Sequence, residues 1–478
     1  MSHPTTRASA SFLDDLLRLV HAARPATRQA RTHARLALLT VGGLLALGRH
    51  TLSQIVVAVG AGQQDWSAWY RLFSRRRVRP AVLQRQVLQG LLGHLEPADP
   101  LVVVLDATQL PRSSQRFPGV GWAKSLRSPH WKPGIHLAQR LEVLSGLLPR
   151  SDQGDTRAVP IAETWVRPAS ARPLGTVPVQ TEADAGIWLL RWLRLVLTLA
   201  LPGERDRPIL VLADGAYSVA PFLARLPQRC WLVARCAKNR ALFALPVAEA
   251  PRRGRKRCYG ERGPTPQQVL HQRSGWTTLA IPVRGRERTL RATVTGPWVV
   301  RGAKGHPVLL IVVKGIKRGT GVTRRQRDPQ FFLVSAVPTP VGGWGLPMPL
   351  VEVLGWAWQR WEVEVMHREL KSGFGLGQGQ AWSAAGVQDT TRWVLWSYAV
   401  LILTAYQQWG MASPAGGARG RWHQPRRWSV GRALQQVRSE VWQLPEFSPA
   451  WTATPDAWAE IAAWWQTQTL AILGQRRL

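Results

Sequence analysis

PLVVVLDATQL at 100–110 and RPILVLADGAY at 207–217 decide the reading of this chain. Each is a continuous apolar run, the first rich in β-branched residues, too short for a buried helix and too uniformly apolar for a half-exposed strand, so each predicts a strand buried on both faces. Each run is closed by an aspartate, Asp106 in the first and Asp214 in the second. A carboxylate placed there loses solvation unless something positive compensates it. An Asp capping a turn or the next helix explains either one singly; two on neighbouring strands point to a site. The chain carries only 28 acidic residues, which sharpens the observation.

Working outward, GIHLAQRLEVLSG (134–146) and VPIAETWVRP (159–168) predict two further strands. DAGIWLLRWLRLVLTLA (184–200) predicts a helix, VAPFLARL (219–226) a short helix and CWLVAR (230–235) another strand. Strand, strand, strand, helix, strand, helix, strand is the order of an RNase H-like core, here spanning 96–236. Residues 237–345 open with a basic loop and continue as alternating runs such as TTLAIPVRGRERTLRATVTGPWVV (277–300), which predict an antiparallel, β-rich insertion subdomain. The expected fold class is therefore α/β, an RNase H-like catalytic core interrupted by that insertion and closed by helices at 346–410. Residues 1–95 predict a helical, DNA-binding region, with apolar positions at three and four spacings, and 411–478 a helical C-terminal region rich in tryptophan. Within the first region, TLSQIVVAVG, AGQQ and DWSAWYRLFSRRR (51–77) read as helix, turn, helix with Arg75 and Arg76 at its basic end.

Charge narrows the partner. The 478 residues hold 63 Lys and Arg against 28 Asp and Glu, a net +35. A surplus of that size calls for a polyanion, and nucleic acid is the usual one because each cation set on a phosphate releases a counterion. A hydrophobic fraction of 45% is enough to bury a core. Cys230, Cys236 and Cys258 form no C-x-x-C pair, which excludes a zinc finger and points to a reducing, cytoplasmic setting. The first residues carry acids where an export signal needs an apolar run. The most apolar stretch, 394–406, falls short of the roughly 20 residues that span a bilayer.

The third acidic candidate comes from WQRWEVEVMHRELKSGF (358–374). At about 100° per residue, Glu364 lies about 40° from Arg360 and Lys371 about 20° back from Glu364, so the three share a helix face. Glu362 points about 160° away and is set aside as a ligand. A surface helix with ordinary i, i+4 pairs is the competing explanation of this segment. Glu364 and His367 make a single E-x-x-H, whereas a di-iron site needs two with further carboxylates. Trp344 in VGGWG and Arg235 at the end of CWLVAR are further candidates for contact with a base and with DNA. There is no phosphate loop of the GxxxxGK[ST] kind.

Asp106 in DATQL, Asp214 in LADGAY and the R-x3-E-x6-K run together resemble the DDE transposases of bacterial insertion sequences, in the insertion-sequence 4 group with its Y-x2-R-x3-E-x6-K signature. The resemblance covers roughly residues 50–410. It implies that Asp106, Asp214 and Glu364 are catalytic and hold two Mg²⁺ or Mn²⁺ ions, hard cations that suit oxygen ligands. Arg360 and Lys371 would then contact DNA phosphate. It further implies terminal inverted repeats and target DNA as partners, and a homodimer that brings two DNA ends together. The separation of 150 positions between Asp214 and Glu364 (364 − 214) accommodates the family's β-rich insertion. The signature tyrosine falls on Ala357, between Trp356 and Trp358, so its phosphate contact is absent or moved. A metal-dependent nuclease that never joins strands, and an inactive relative that only binds DNA, are the alternatives.

Overall fold

The computed structural model describes residues 11–125, 128, 129, 131–246, 258–303, 305–315, 317, 318, 325, 326, 328–414 and 426–443. Five helices come first: α1 (Phe12–Ala22), α2 (Ala30–Leu45), α3 (Leu52–Ala58), α4 (Ser67–Ser74) and α5 (Pro80–Leu92). Capping explains where they start: Ser11 closes a capping box on Asp14, Thr51 accepts from Gln54, and Pro80 opens α5 with its φ already set. Residues 59–66 separate α3 from α4, with the Trp66 indole donating to the Gly62 carbonyl at 2.9 Å. That connection is longer than the three or four residues of a helix-turn-helix. The apolar side of α4, Trp69, Leu72 and Phe73, is buried, and Phe73 packs on Trp393 of the later helical region.

Strands then take over: β1 (Leu101–Pro111), β2 (Gly121–Lys124), β3 (Ile135–Leu147) and β4 (Ala158–Val166), followed by α6 (Glu182–Leu199), β5 (Ile209–Ala213), α7 (Ala220–Leu223) and β6 (Cys230–Arg235). Next come β7 (Phe243–Ala244), α8 (Pro266–Leu270), β8 (Thr277–Val283), β9 (Arg286–Val299), β10 (Val308–Val313), β11 (Lys317–Arg318), β12 (Arg325–Gln326), β13 (Gln330–Ser335), β14 (Val337–Pro338) and β15 (Trp344–Gly345). The described residues end with α9 (Leu350–Gln359), α10 (Trp361–Gly373), α11 (Ala384–Trp409) and α12 (Val430–Trp442). The helical expectation for 444–478 lies outside the described residues, as does most of the basic loop at 251–257.

Among the described residues eleven strands form one mixed sheet in the order β2-β3-β1-β5-β6-β13-β10-β9-β7, with β4 also on β3 and β8 also on β9. Strands β1, β5 and β6 run parallel, whereas β3 runs antiparallel to both β1 and β4. The β-rich segment is continuous with this sheet, because β13 pairs antiparallel with β6 from Phe332↔Arg235 to Val334↔Val233. Every residue of β5 and the first five of β1 are buried, as the uniformly apolar runs require. A fully buried Val or Leu of this kind contributes about 1.5–3 kcal/mol.

One expectation is corrected. β1 does not end at Asp106 but runs five residues further, because β3 stays paired with it through Pro111↔Ala138. What ends is the other edge: the pairing with β5 stops at Val104↔Leu212. Asp106 and Asp214 each lie two positions past that last pair, side by side where the two parallel strands diverge. The β1–β3 register places Asp106 with Val143 on one face and Ala107 with Glu142 on the other. Helix α10 meets the first face and α6 the second.

Candidate active site

A depression at the open edge of β1 is lined by Asp106, Arg140, Glu182, Asp214, Tyr217, Arg360, Glu364, His367, Arg368 and Lys371, among others. Five residues singled out in sequence, Asp106, Asp214, Glu364, Arg360 and Lys371, thus share one wall or another of it. Asp214 sits just past β5, where its Oδ1 accepts from the Ala216 N–H at 2.8 Å and caps a turn of 3-10 helix at Gly215–Tyr217. The capping explanation of Asp214 is therefore true, and it leaves the second carboxylate oxygen for other work.

Arg360 joins α9 to α10, serving as C-cap of one and N-cap of the other. Its Nη2 donates to Glu364 Oε1 at 2.6 Å, and its Nη1 lies 3.9 Å from Asp106 Oδ1. One guanidinium thus faces two of the three carboxylates. Glu362 lies on the far side of α10, 1% exposed, with Arg427 Nη1 3.0 Å from its Oε2. The helix-face argument separates the two glutamates as the structure does.

Asp106, Asp214 and Glu364 offer hard oxygen donors, the chemistry that suits a divalent cation. Their arrangement here is looser: among the described residues no group of three or more His, Cys, Asp or Glu side chains is gathered closely enough to hold a metal ion. Glu364 is engaged by Arg360 instead.

Three further residues join this cluster; of them the sequence raised only His367, and only as half of an E-x-x-H pair. His367, one turn after Glu364 and 7% exposed at its side chain, places Nδ1 3.3 Å from Asp106 Oδ2. Arg140, on β3, pairs with Glu182 at the start of α6. Glu142, fully buried, accepts a 2.5 Å hydrogen bond from the Tyr217 hydroxyl. Burial pushes the Glu142 carboxyl up to about 8, and Asp106 and Asp214 push it the same way against the hydrogen bond and Arg140. Burial, and then Glu142, hold the Tyr217 phenol well above its ordinary range. The signal available in sequence was a pair of charges, Arg140 and Glu142, interrupting an apolar strand. Ala357, at the signature-tyrosine position, packs against the core, and the Tyr217 hydroxyl in the wall is already committed to Glu142.

Other expected contacts lie elsewhere. Arg235 ends β6, beside the turn after Asp214: its carbonyl oxygen is 3.6 Å from where a Cβ on Gly215 would stand. Trp344 is 38% exposed in the small β14–β15 hairpin and does not line the depression. Arg75 caps α4, and Arg76, at φ +47°, donates to Gln388 of α11 at 2.9 Å. No helix among the described residues is long and apolar enough to cross a membrane.

No curated protein matches the chain. Residues 158–297, which run from β4 into β9 and contain Asp214 but neither Asp106 nor Glu364, match the family model described as DDE superfamily endonuclease. That stretch supports a DDE transposase-type family for the chain, whose endonucleases act on DNA and generally use divalent metal ions.

Proposed function

We propose that the chain is the transposase of a bacterial insertion sequence, of the insertion-sequence 4-like group, which cleaves DNA and joins the freed end to a target. The observation that carries this reading is the meeting of Asp106, Asp214, Glu364, Arg360 and Lys371, drawn from three distant segments, around one depression. The order β4-β3-β1-β5-β6, with β3 antiparallel between β4 and β1 and the other two parallel to β1, supports an RNase H-like core over 96–236 and 346–410. The insertion then comprises 237–345, flanked by helical regions at 1–95 and 411–478.

In this reading Asp106, Asp214 and Glu364 would hold two Mg²⁺ or Mn²⁺ ions, which would supply activation of the attacking oxygen and stabilisation of the leaving oxygen. Arg360 and Lys371 bind phosphate oxygens and orient the scissile group. His367 holds the Asp106 carboxylate, and Arg235, Arg75, Arg76 and Trp344 contact DNA outside the depression. A homodimer brings the two terminal inverted repeats together, and the protein works in the cytoplasm.

The test is a strand-transfer assay with purified protein, Mg²⁺, labelled element ends and target DNA. Joined product is expected. Asp106→Ala, Asp214→Ala and Glu364→Gln should each lower cleavage about 10²- to 10³-fold or more, the scale on which an electrostatic stabiliser acts, with DNA affinity nearly intact. Cleavage without joining would make the protein a plain nuclease, and absence of any metal-dependent cleavage would sink both enzymatic readings.

A further inference from the structure

A second groove, separate from the depression, lies between the N-terminal helices and the segment that follows α10. Arg49, His50, Tyr70, Arg112, Gln380 and Trp382 are among its lining, and among the described residues no Asp or Glu lines it. Its two walls are tied together: the His50 N–H donates to Gln378 Oε1 at 2.8 Å. At Gly375, with φ +70°, a Cβ would stand 2.5 Å from that of His50, so the approach requires glycine. The groove is preformed, which spares a ligand the cost of ordering it.

Trp382 is its unusual member. One face of the indole lies flat on Phe117, with ring centroids 4.6 Å apart and planes 13° apart, while the residue remains 60% exposed. Phe117 is buried, and the Arg112 guanidinium stands 5.1 Å from its ring centre. Arg112 is itself fixed by the carbonyls of Gly377 and Gly379 at 2.7 and 2.9 Å and by Gln139 at 2.8 Å. An aromatic plane backed by a rigid stack and open on its outer side is the arrangement that takes a nucleobase. Tyr70, 44% exposed, adds a second ring.

Position supports the same ligand. Asp106 and Leu110 are four residues apart on β1, about 13 Å, and Leu110 lies 3.4 Å from where a Cβ on Gly377 would be. That span is about four nucleotide rises along one strand. With no acid in its lining among the described residues, Arg49 on it and a net charge of +35 on the chain, the groove suits a polyanion better than an acidic or neutral peptide.

We infer that this groove binds unpaired nucleobases of the DNA strand whose phosphate occupies the depression, with Trp382 as the stacking platform. The inference rests on the proposed action on DNA and adds a binding site to it.

The test uses the full chain and two fluorescein-labelled 20-base-pair duplexes, one blunt and one ending in a fork of six unpaired nucleotides on each strand, with affinity read by anisotropy in EDTA. Wild type should prefer the fork. Trp382→Ala should weaken fork binding by about tenfold or more, given the stacking contribution of a single base, and leave blunt-duplex binding within about twofold, which also shows that the variant folds. Trp382→Phe should retain most of the preference, and Tyr70→Ala should lose part of it. Equal effects on both duplexes, no effect on either, or a Phe variant as impaired as the Ala variant would overturn the inference. Cleavage of the same DNAs with Mg²⁺ is scored separately. Protein that holds forks through Trp382 and cuts nothing overturns the proposed transposase activity alone. Protein that cuts, with Trp382→Ala binding forks as wild type does, overturns the groove alone.

Discussion

Two arginine-centred clusters flank the β4-β3-β1 part of the sheet, and their chemistry is nearly the same. In the first, Arg360 faces Glu364 and Asp106. In the second, Arg392 of α11 meets Glu163 of β4 at 2.6 Å and Asp389 at 3.0 Å, and Gln84 of α5 donates to Glu163 at 3.2 Å. The difference is room. Glu163 and Asp389 keep 3% of their side-chain surface and both pair with Arg392, with Arg76 adding a more distant positive charge at Asp389. Asp106 and Glu364 keep 19% and 34% and open onto a depression large enough for a phosphate group. Burial raises the carboxyls of Glu163 and Asp389 above their ordinary values, with Arg392 opposing it. The same residue types thus build a structural clamp where packing is closed and a solvent-open cluster, the candidate site, where the sheet edge is open.

The comparison breaks most readily at Arg392. Arg392→Leu strands two buried carboxylates and should cost about 3–5 kcal/mol, read by denaturant unfolding; a loss below about 1 kcal/mol would show that the clamp is not closed. Next is Glu142, the buried acid behind the depression. Its folded pKa, about 8, lies above the ordinary value of 4.5, so the folded state binds the extra proton. Stability from this group is complete below pH 4.5 and is lost as pH rises towards 8. Glu142→Gln should flatten that slope and gain up to about 4 kcal/mol at pH 8 relative to wild type; parallel pH–stability curves for the two proteins would refute it.

A smaller effect is expected at His367. His367→Ala should lower metal-dependent cleavage about 10- to 100-fold, the usual loss when a group orienting a metal-binding carboxylate is removed, and leave thermal stability and DNA affinity close to wild type. Unchanged cleavage would show that Asp106 is held without it. The smallest effect is the stability change of Arg360→Met. Its carboxylate partners are solvated, so unfolding free energy should change by about 1 kcal/mol or less, while cleavage falls. A loss comparable to that of Arg392→Leu would mean the two clusters are alike after all.

The positions of Asp106, Asp214 and Glu364 were legible because each rests on a local pattern: an apolar run closed by an acid, or a face repeated along a helix. Glu142 and His367 were not legible as participants. Their roles depend on which residue of β3 stands beside Ala107 and on how α10 lies over β1, and both are long-range pairings that local periodicity does not encode. The reach of β1 past Asp106 was missed for the same reason, since a strand ends where its partners do.

By itself the sequence determined the alternation of helical and strand segments, the surplus of positive charge and the placing of Glu362 and Glu364 on opposite sides of one helix, because these follow from composition and from the pitch of a helix. Tertiary structure alone decided that the β-rich segment continues the central sheet, that one depression gathers residues from 106 to 371, and that Trp382 lies stacked on Phe117 above a second groove. Those outcomes come from the pairing of segments far apart in the chain, where the free energy of burying surface together selects one register among many that the local sequence would accept.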